Sequence, residues 1–149
     1  MLRKILKYAG LIVVLLLTAA QVVQPDRTNP PTDPAATFEA VAKPSPQLIA
    51  IVQRACGDCH SHDTAWPWYS RIAPVSWLVA DHVHEGRTHL NFSQWNLLSP
   101  DMSARRLKAS CQEAQENDMP LWHYKLMHPQ AKLTDDDIRV LCSGTSASQ

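Results

Sequence analysis

Cys56-Gly57-Asp58-Cys59-His60 is the stretch from which the rest of the chain is read. Two thiols two residues apart, followed at once by an imidazole, form the pattern in which both sulfurs add across the vinyl groups of a haem and the histidine reaches the iron from the same side. The thioethers hold the porphyrin edge so close to the backbone that the next side chain is already at ligand distance. Cys56 and Cys59 are therefore expected to attach one haem c covalently, with His60 as proximal iron ligand. A bare CxxC also occurs in thioredoxin-like redox sites and as half of many zinc sites. The flanks QLIAIVQRA and SHDTAWPWYS do not read as a βαβ unit, and Cys111 and Cys142 are too far apart for a second zinc-knuckle pair. A structural zinc or thiol module without haem stands as the alternative.

Working outward, Ser45 as N-cap with Pro46 at the first helical position starts a helix that puts Leu48, Ile49, Val52 and Ala55 on one face and runs straight into Cys56. After the motif, WPWYSRIAPVSWL brings Trp66, Trp68, Tyr69 and Trp77 close together. Broad aromatics here are candidates to wall a porphyrin from water, and ordinary core packing is the competing role. Arg71 is a candidate partner for a haem propionate through its planar fork, against simple solvation at the surface.

A second helix is expected from Pro74 through Val75, Leu78, Val79 and Val83, with Gly86 as its left-handed C-terminal residue. His82 and His84 lie on its polar face and are read as solvated. Residues 88–98 read as a loop burying Phe92 and Trp95. Ser99 and Pro100 open a third helix with Met102, Leu107, Cys111 and Ala114 on one side, ending near Asn117. Pro120 and Pro129 keep the following stretch poor in helix at both ends. Thr134 then caps a last helix with an acidic first turn, Asp135 to Asp137, which buries Ile138, Val140 and Leu141 and ends at Gly144.

A proximal histidine leaves a sixth iron position whose occupant decides between electron transfer and ligand chemistry. Met119 is the distal candidate, because Pro120 stiffens the backbone behind a flexible thioether. Met127 is the alternative; His128, packed beside a Leu126 expected to point inward, is a further one, as is an open site. Met102 is read as a core residue. Cys111 and Cys142, outside the motif, are expected to form a disulfide in an oxidising compartment.

The 149 residues allow one domain, and charge is balanced at 14 basic and 14 acidic residues. Arg3, Lys4 and Lys7 precede an apolar run, so the remainder is mildly acidic with no basic stripe, which argues against nucleic acid. Ile5 to Val23 is expected to be a signal anchor spanning the membrane if Lys7 snorkels, or else a cleaved signal peptide. Dense prolines over residues 24–44 predict a semi-rigid spacer holding the domain clear of the membrane, with FEAVA as a short docking turn.

The stretches CGDCHSHDTAWPWYSRIAPVSWLVADHV, HLNFSQW and DMPLWHYKLMHPQAKLTDDDI, with the NPPTDP segment, resemble the bacterial haem-binding domain family, small membrane-anchored proteins of the cytochrome c type. The resemblance covers Asn29 to Ser143. It implies covalent haem, a mostly helical cytochrome-like fold and an envelope location, with Cys56 and Cys59 for attachment, His60 proximal and Met119 distal.

The resulting expectation is an all-α chain: a small cytochrome c-like helical domain around one covalent haem, preceded by an N-terminal membrane helix and a Pro-rich linker. Its parts are residues 1–23 (signal anchor or signal peptide), 24–44 (linker), 45–144 (haem domain) and 145–149 (disordered tail). Functionally it reads as a periplasm-facing electron carrier rather than an enzyme, tethered to a bacterial cytoplasmic membrane through residues 5–23. It would exchange single electrons with redox partner proteins of the cell envelope. A haem-based enzyme or small-molecule sensor with an open or labile sixth site is the alternative.

Overall fold

The computed structural model describes residues 1–144, and every regular element in them is helical. In chain order these are α1 (Leu2–Ala20), α2 (Phe38–Ala42), α3 (Pro46–Ala55), α4 (Gly57–His60), α5 (Val75–His89), α6 (Pro100–Gln115), α7 (Trp122–Met127) and α8 (Asp135–Gly144), with short 3₁₀ turns between them. The expected disordered tail, 145–149, lies outside the described residues.

Helices begin where the capping signals put them. The Leu48 amide donates to Ser45 Oγ at 3.2 Å to open α3, and the Met102 amide donates to Ser99 Oγ at 3.3 Å to open α6. Thr134 and Asp137 cap α8 reciprocally, the Asp137 amide donating to Thr134 Oγ1 at 3.1 Å and the Thr134 amide to Asp137 Oδ2 at 2.9 Å. α6 stops at Gln115, and Asn117 takes the left-handed conformation (φ 61°) that asparagine tolerates better than most residues.

The core joins Phe38, Leu48, Val52, Phe92, Trp95, Leu107, Ala114 and Leu141, drawn from α2, α3, the 92–97 turn, α6 and α8. Phe38 meets Trp95 edge-on at 4.6 Å, and Trp95 stacks on Phe92 at 5.7 Å. The disulfide Cys111–Cys142 joins α6 to α8 as expected.

Several faces differ from the sequence reading. In α3 the fully buried residue is Ile51 rather than Ile49. In α5 the inward face is Ser76, Val83 and Gly86, small residues that let the helix lie against α4, while Val75 and Leu78 are exposed. Gly86 sits inside α5 and does not end it; the helix runs on to His89. Met102 is 46% exposed and Leu126 67%, so neither is core; each projects from a first or last turn beyond the packed face.

The N-terminal membrane helix is not supported. Among the described residues no helix is long and apolar enough to cross a membrane. α1 ends at Ala20 because Gln21 turns toward the domain, its side-chain amide donating to the Ala73 carbonyl at 3.0 Å and accepting the Ala73 amide at 3.0 Å. What is free of charge, Tyr8 to Ala20, spans about 20 Å at 1.5 Å per residue against a hydrocarbon core of about 30 Å. The proline-rich stretch likewise lies along the domain rather than standing off it. Arg27 donates to the Ser70 carbonyl, Asn29 to the Thr64 carbonyl, and Phe38 enters the core.

Candidate functional site

The motif residues form a single tight turn of helix, α4, placed directly after α3 so that the amides of Cys59 and His60 both donate to the Cys56 carbonyl. Both thiols are free and lie beside a predominantly apolar cavity of about 510 Å³. Burial pushes the Cys56 thiol up to about 12 and the Cys59 thiol to about 11, with the neighbouring thiol adding to the first and Asp58 to the second. Both are therefore neutral at physiological pH.

His60 lines the same cavity. Its Nδ1 lies 3.0 Å from the Leu90 carbonyl oxygen, which can only accept, so Nδ1 carries the proton and Nε2 keeps its lone pair. Burial lowers the pKa of the imidazole and holds it neutral. A neutral ring with one nitrogen engaged and the other basic is the form in which histidine binds a metal.

Met119 lies on the wall of this cavity, 37% exposed. Its amide donates to the Glu113 carbonyl at 3.2 Å, and the Asp118 amide to the same oxygen at 3.0 Å, so the thioether segment hangs from the end of α6. Met127 and His128 are not among the lining residues. His128 is engaged elsewhere, with Nε2 2.8 Å from the Tyr69 hydroxyl and its ring stacked on Tyr124 at 4.3 Å.

Of the aromatic stretch over residues 66–77, Trp66, Trp68, Tyr69, Arg71 and Trp77 do not line this cavity. Their polar ends hold other segments. Trp66 Nε1 donates to Asn29 at 3.1 Å and Trp77 Nε1 to the Val23 carbonyl at 2.7 Å, which fastens the N-terminal segment. Trp68 is 69% exposed and Arg71 is solvated.

Other residues supply the walls. Val52, Ala55, Leu90, Phe92, Leu107 and Leu141 give apolar surface. Gly86 of α5 lies so near the motif that an added Cβ would fall 2.5 Å from the Cys59 carbonyl oxygen. His82, expected to be solvated, lines the cavity and stacks on His123 at 4.8 Å; His84 is exposed as expected. Arg106 lines the cavity half-buried, and its guanidinium makes no hydrogen bond or ion pair among the described residues. No sequence pattern marked Arg106, and Gly86 was marked only as a helix end, because their roles here depend on how α5 and α6 pack over the motif.

The residues present fit a haem. Apolar walls suit a porphyrin's faces, two neutral thiols and a basic imidazole nitrogen adjoin the same space, and an unpaired guanidinium is available to a carboxylate. For the zinc alternative, no group of three or more His, Cys, Asp or Glu side chains is placed to hold a metal ion among the described residues. A family model described as a haem-binding domain matches residues 15–147. Searches of curated proteins and of solved structures give no significant match.

Proposed function

The chain belongs to the haem-binding domain family, and on that basis we propose that it is a monohaem c-type cytochrome that carries single electrons. The observation that carries this reading is the convergence of Cys56, Cys59, His60 and Met119 on one apolar cavity. Cys56 and Cys59 would hold the haem through their sulfurs, and His60 through Nε2 and Met119 through its thioether would be the ligands of its iron. Bound haem supplies one-electron Fe(III)/Fe(II) chemistry, and a histidine–methionine pair raises its potential. Leu90 fixes the tautomer and direction of His60 through its carbonyl. The apolar walls exclude water, and Arg106 offers the propionates a positive partner.

The domain works outside the cytoplasm and exchanges electrons with redox proteins of the cell envelope. The disulfide Cys111–Cys142 supports that compartment, since such bonds persist where the surroundings are oxidising. The test is the absorption spectrum of oxidised and reduced protein, wild type and Met119→Ala. The reading expects low-spin wild-type iron in both states and a high-spin, carbon monoxide-binding variant. Wild-type iron that is already high-spin, or that binds carbon monoxide readily, would replace the carrier with a haem enzyme or sensor.

A further inference from the structure

Asp58, between the two thiols of the motif, is tied to the segment that carries Met119. Its Oδ2 accepts the Tyr124 hydroxyl proton in a hydrogen bond of 2.6 Å. Its Oδ1 accepts the Ala65 amide at 3.0 Å, and its main-chain carbonyl accepts the Thr64 hydroxyl at 2.7 Å. The carboxylate is thus oriented from its own side before Tyr124 reaches it.

Tyr124 is equally constrained. Its ring stacks within 15° of parallel on His128, which Tyr69 holds in turn. Burial and then the bond to Asp58 push the phenol pKa well above its ordinary value, so the hydroxyl stays a donor. Five and six residues upstream, Met119 and Asp118 hang from the Glu113 carbonyl, and Lys125 Nζ donates to Asn117 Oδ1 at 2.8 Å, closing the 117–125 segment on itself. Among the described residues, Tyr124–Asp58 is the only hydrogen bond between residues 118–128 and the motif.

We propose that the Tyr124–Asp58 hydrogen bond is a strut that fixes the Met119 segment relative to the haem-attachment turn, making Tyr124 a positioning residue for the sixth ligand. The proposal rests on Met119 being that ligand. A phenol bonded to a carboxylate is among the stronger hydrogen bonds available, and it spans the gap between the two ligand-bearing segments. Without it the methionine segment is held from α6, through the His123···His82 contact at 3.4 Å and, nine residues beyond Met119, through Tyr69 and His128 at 2.8 Å, none of which ties it to the motif itself, and the thioether leaves the iron more often.

The experiment is imidazole binding to the oxidised, haem-loaded full chain, followed by stopped-flow absorbance. At saturating imidazole the observed rate is the rate at which the native sixth ligand departs. Tyr124→Phe should keep covalent haem and a low-spin resting spectrum, yet raise that limiting rate about tenfold, the loss expected for one charge-assisted bond. Asp58→Ala should raise it similarly, and the double variant should be no faster than either single one, since both remove the same bond. A merely structural role would lower the melting temperature without moving the limiting rate.

A limiting rate within twofold of wild type in Tyr124→Phe, with Met119→Ala opening the iron, would overturn the strut and leave Met119 as the ligand. Met119→Ala with unchanged spectra would overturn both. If Tyr124→Phe does not accumulate as a haem protein, Asp58→Ala carries the same outcomes from the other end of the bond.

Discussion

Gly86 of α5 and Cys59 of the motif touch backbone to backbone: a Cβ on Gly86 would stand 2.5 Å from the Cys59 carbonyl oxygen and 3.0 Å from its carbon. That contact sets how closely α5 closes on the attachment turn and brings His82, Glu85 and His89 to the cavity wall. Alanine in place of a mid-helix glycine ordinarily stabilises by about 1 kcal/mol. Here the clash is with backbone that cannot rotate away, so the sign reverses. Gly86→Ala should destabilise by about 1–3 kcal/mol, measured by denaturant unfolding, and should lower the fraction of chains carrying haem.

The Cys111–Cys142 bridge closes a loop with a sequence separation of 31 between α6 and α8, both of which feed the core through Leu107, Ala114 and Leu141. Loop-closure entropy for that length corresponds to about 3–4 kcal/mol. The double replacement Cys111→Ser/Cys142→Ser should lower unfolding free energy by that order while leaving haem attachment at Cys56 and Cys59 intact. Mass spectrometry of the denatured protein separates the two effects.

Asp137 offers a pH test away from the cavity. Burial opposes its ionisation, but the Thr134 amide and hydroxyl and the Arg54 guanidinium, 2.9 Å away, outweigh that and hold its carboxyl below the ordinary value of 3.8. A depressed folded pKa contributes stability that is present above 3.8 and is lost as pH falls through the lower folded value. Asp137→Asn should therefore cost about 1 kcal/mol at pH 7, the usual worth of a helix cap, and its difference from wild type should shrink as pH drops below 3.8. Paired denaturation curves at neutral and acid pH read this directly.

Arg106 lines the cavity, and among the described residues its guanidinium has no hydrogen bond or ion pair. Positive charge beside the iron favours the reduced state, which carries one charge less. Arg106→Gln should lower the reduction potential by tens of millivolts, taking ~1–2 kcal/mol for a unit charge on the order of 10 Å away at an effective dielectric of about 20. Equilibrium redox titration gives the sign. Arg71→Gln, at an exposed position outside the cavity, should leave the potential unchanged.

What was legible in the sequence was local chemistry. Ser45, Ser99 and Thr134 announced helix starts because capping depends on residues three apart, and the cysteines outside the motif pointed to their own bridge. The aromatic stretch was ambiguous because tryptophan has two uses. Trp66 and Trp77 are spent on hydrogen bonds to the N-terminal segment rather than on the cavity. Hydrophobic spacing picked the right helix in α5 but not its inward residues, since close packing against α4 needs Ser76 and Gly86 where periodicity favours Leu78. The apolar N-terminal run looked long enough to span a membrane only when Gln21 to Val23 were counted as helix, and the Gln21–Ala73 pairing is tertiary information.

The most direct measurement is denaturing gel electrophoresis of the protein made in a host with c-type maturation machinery, with haem detected on the gel in wild type and in Cys56→Ala/Cys59→Ala. Haem that travels with the wild-type polypeptide and is absent from the double variant is the predicted result. Wild-type protein that folds and is exported yet runs free of haem would contradict the account.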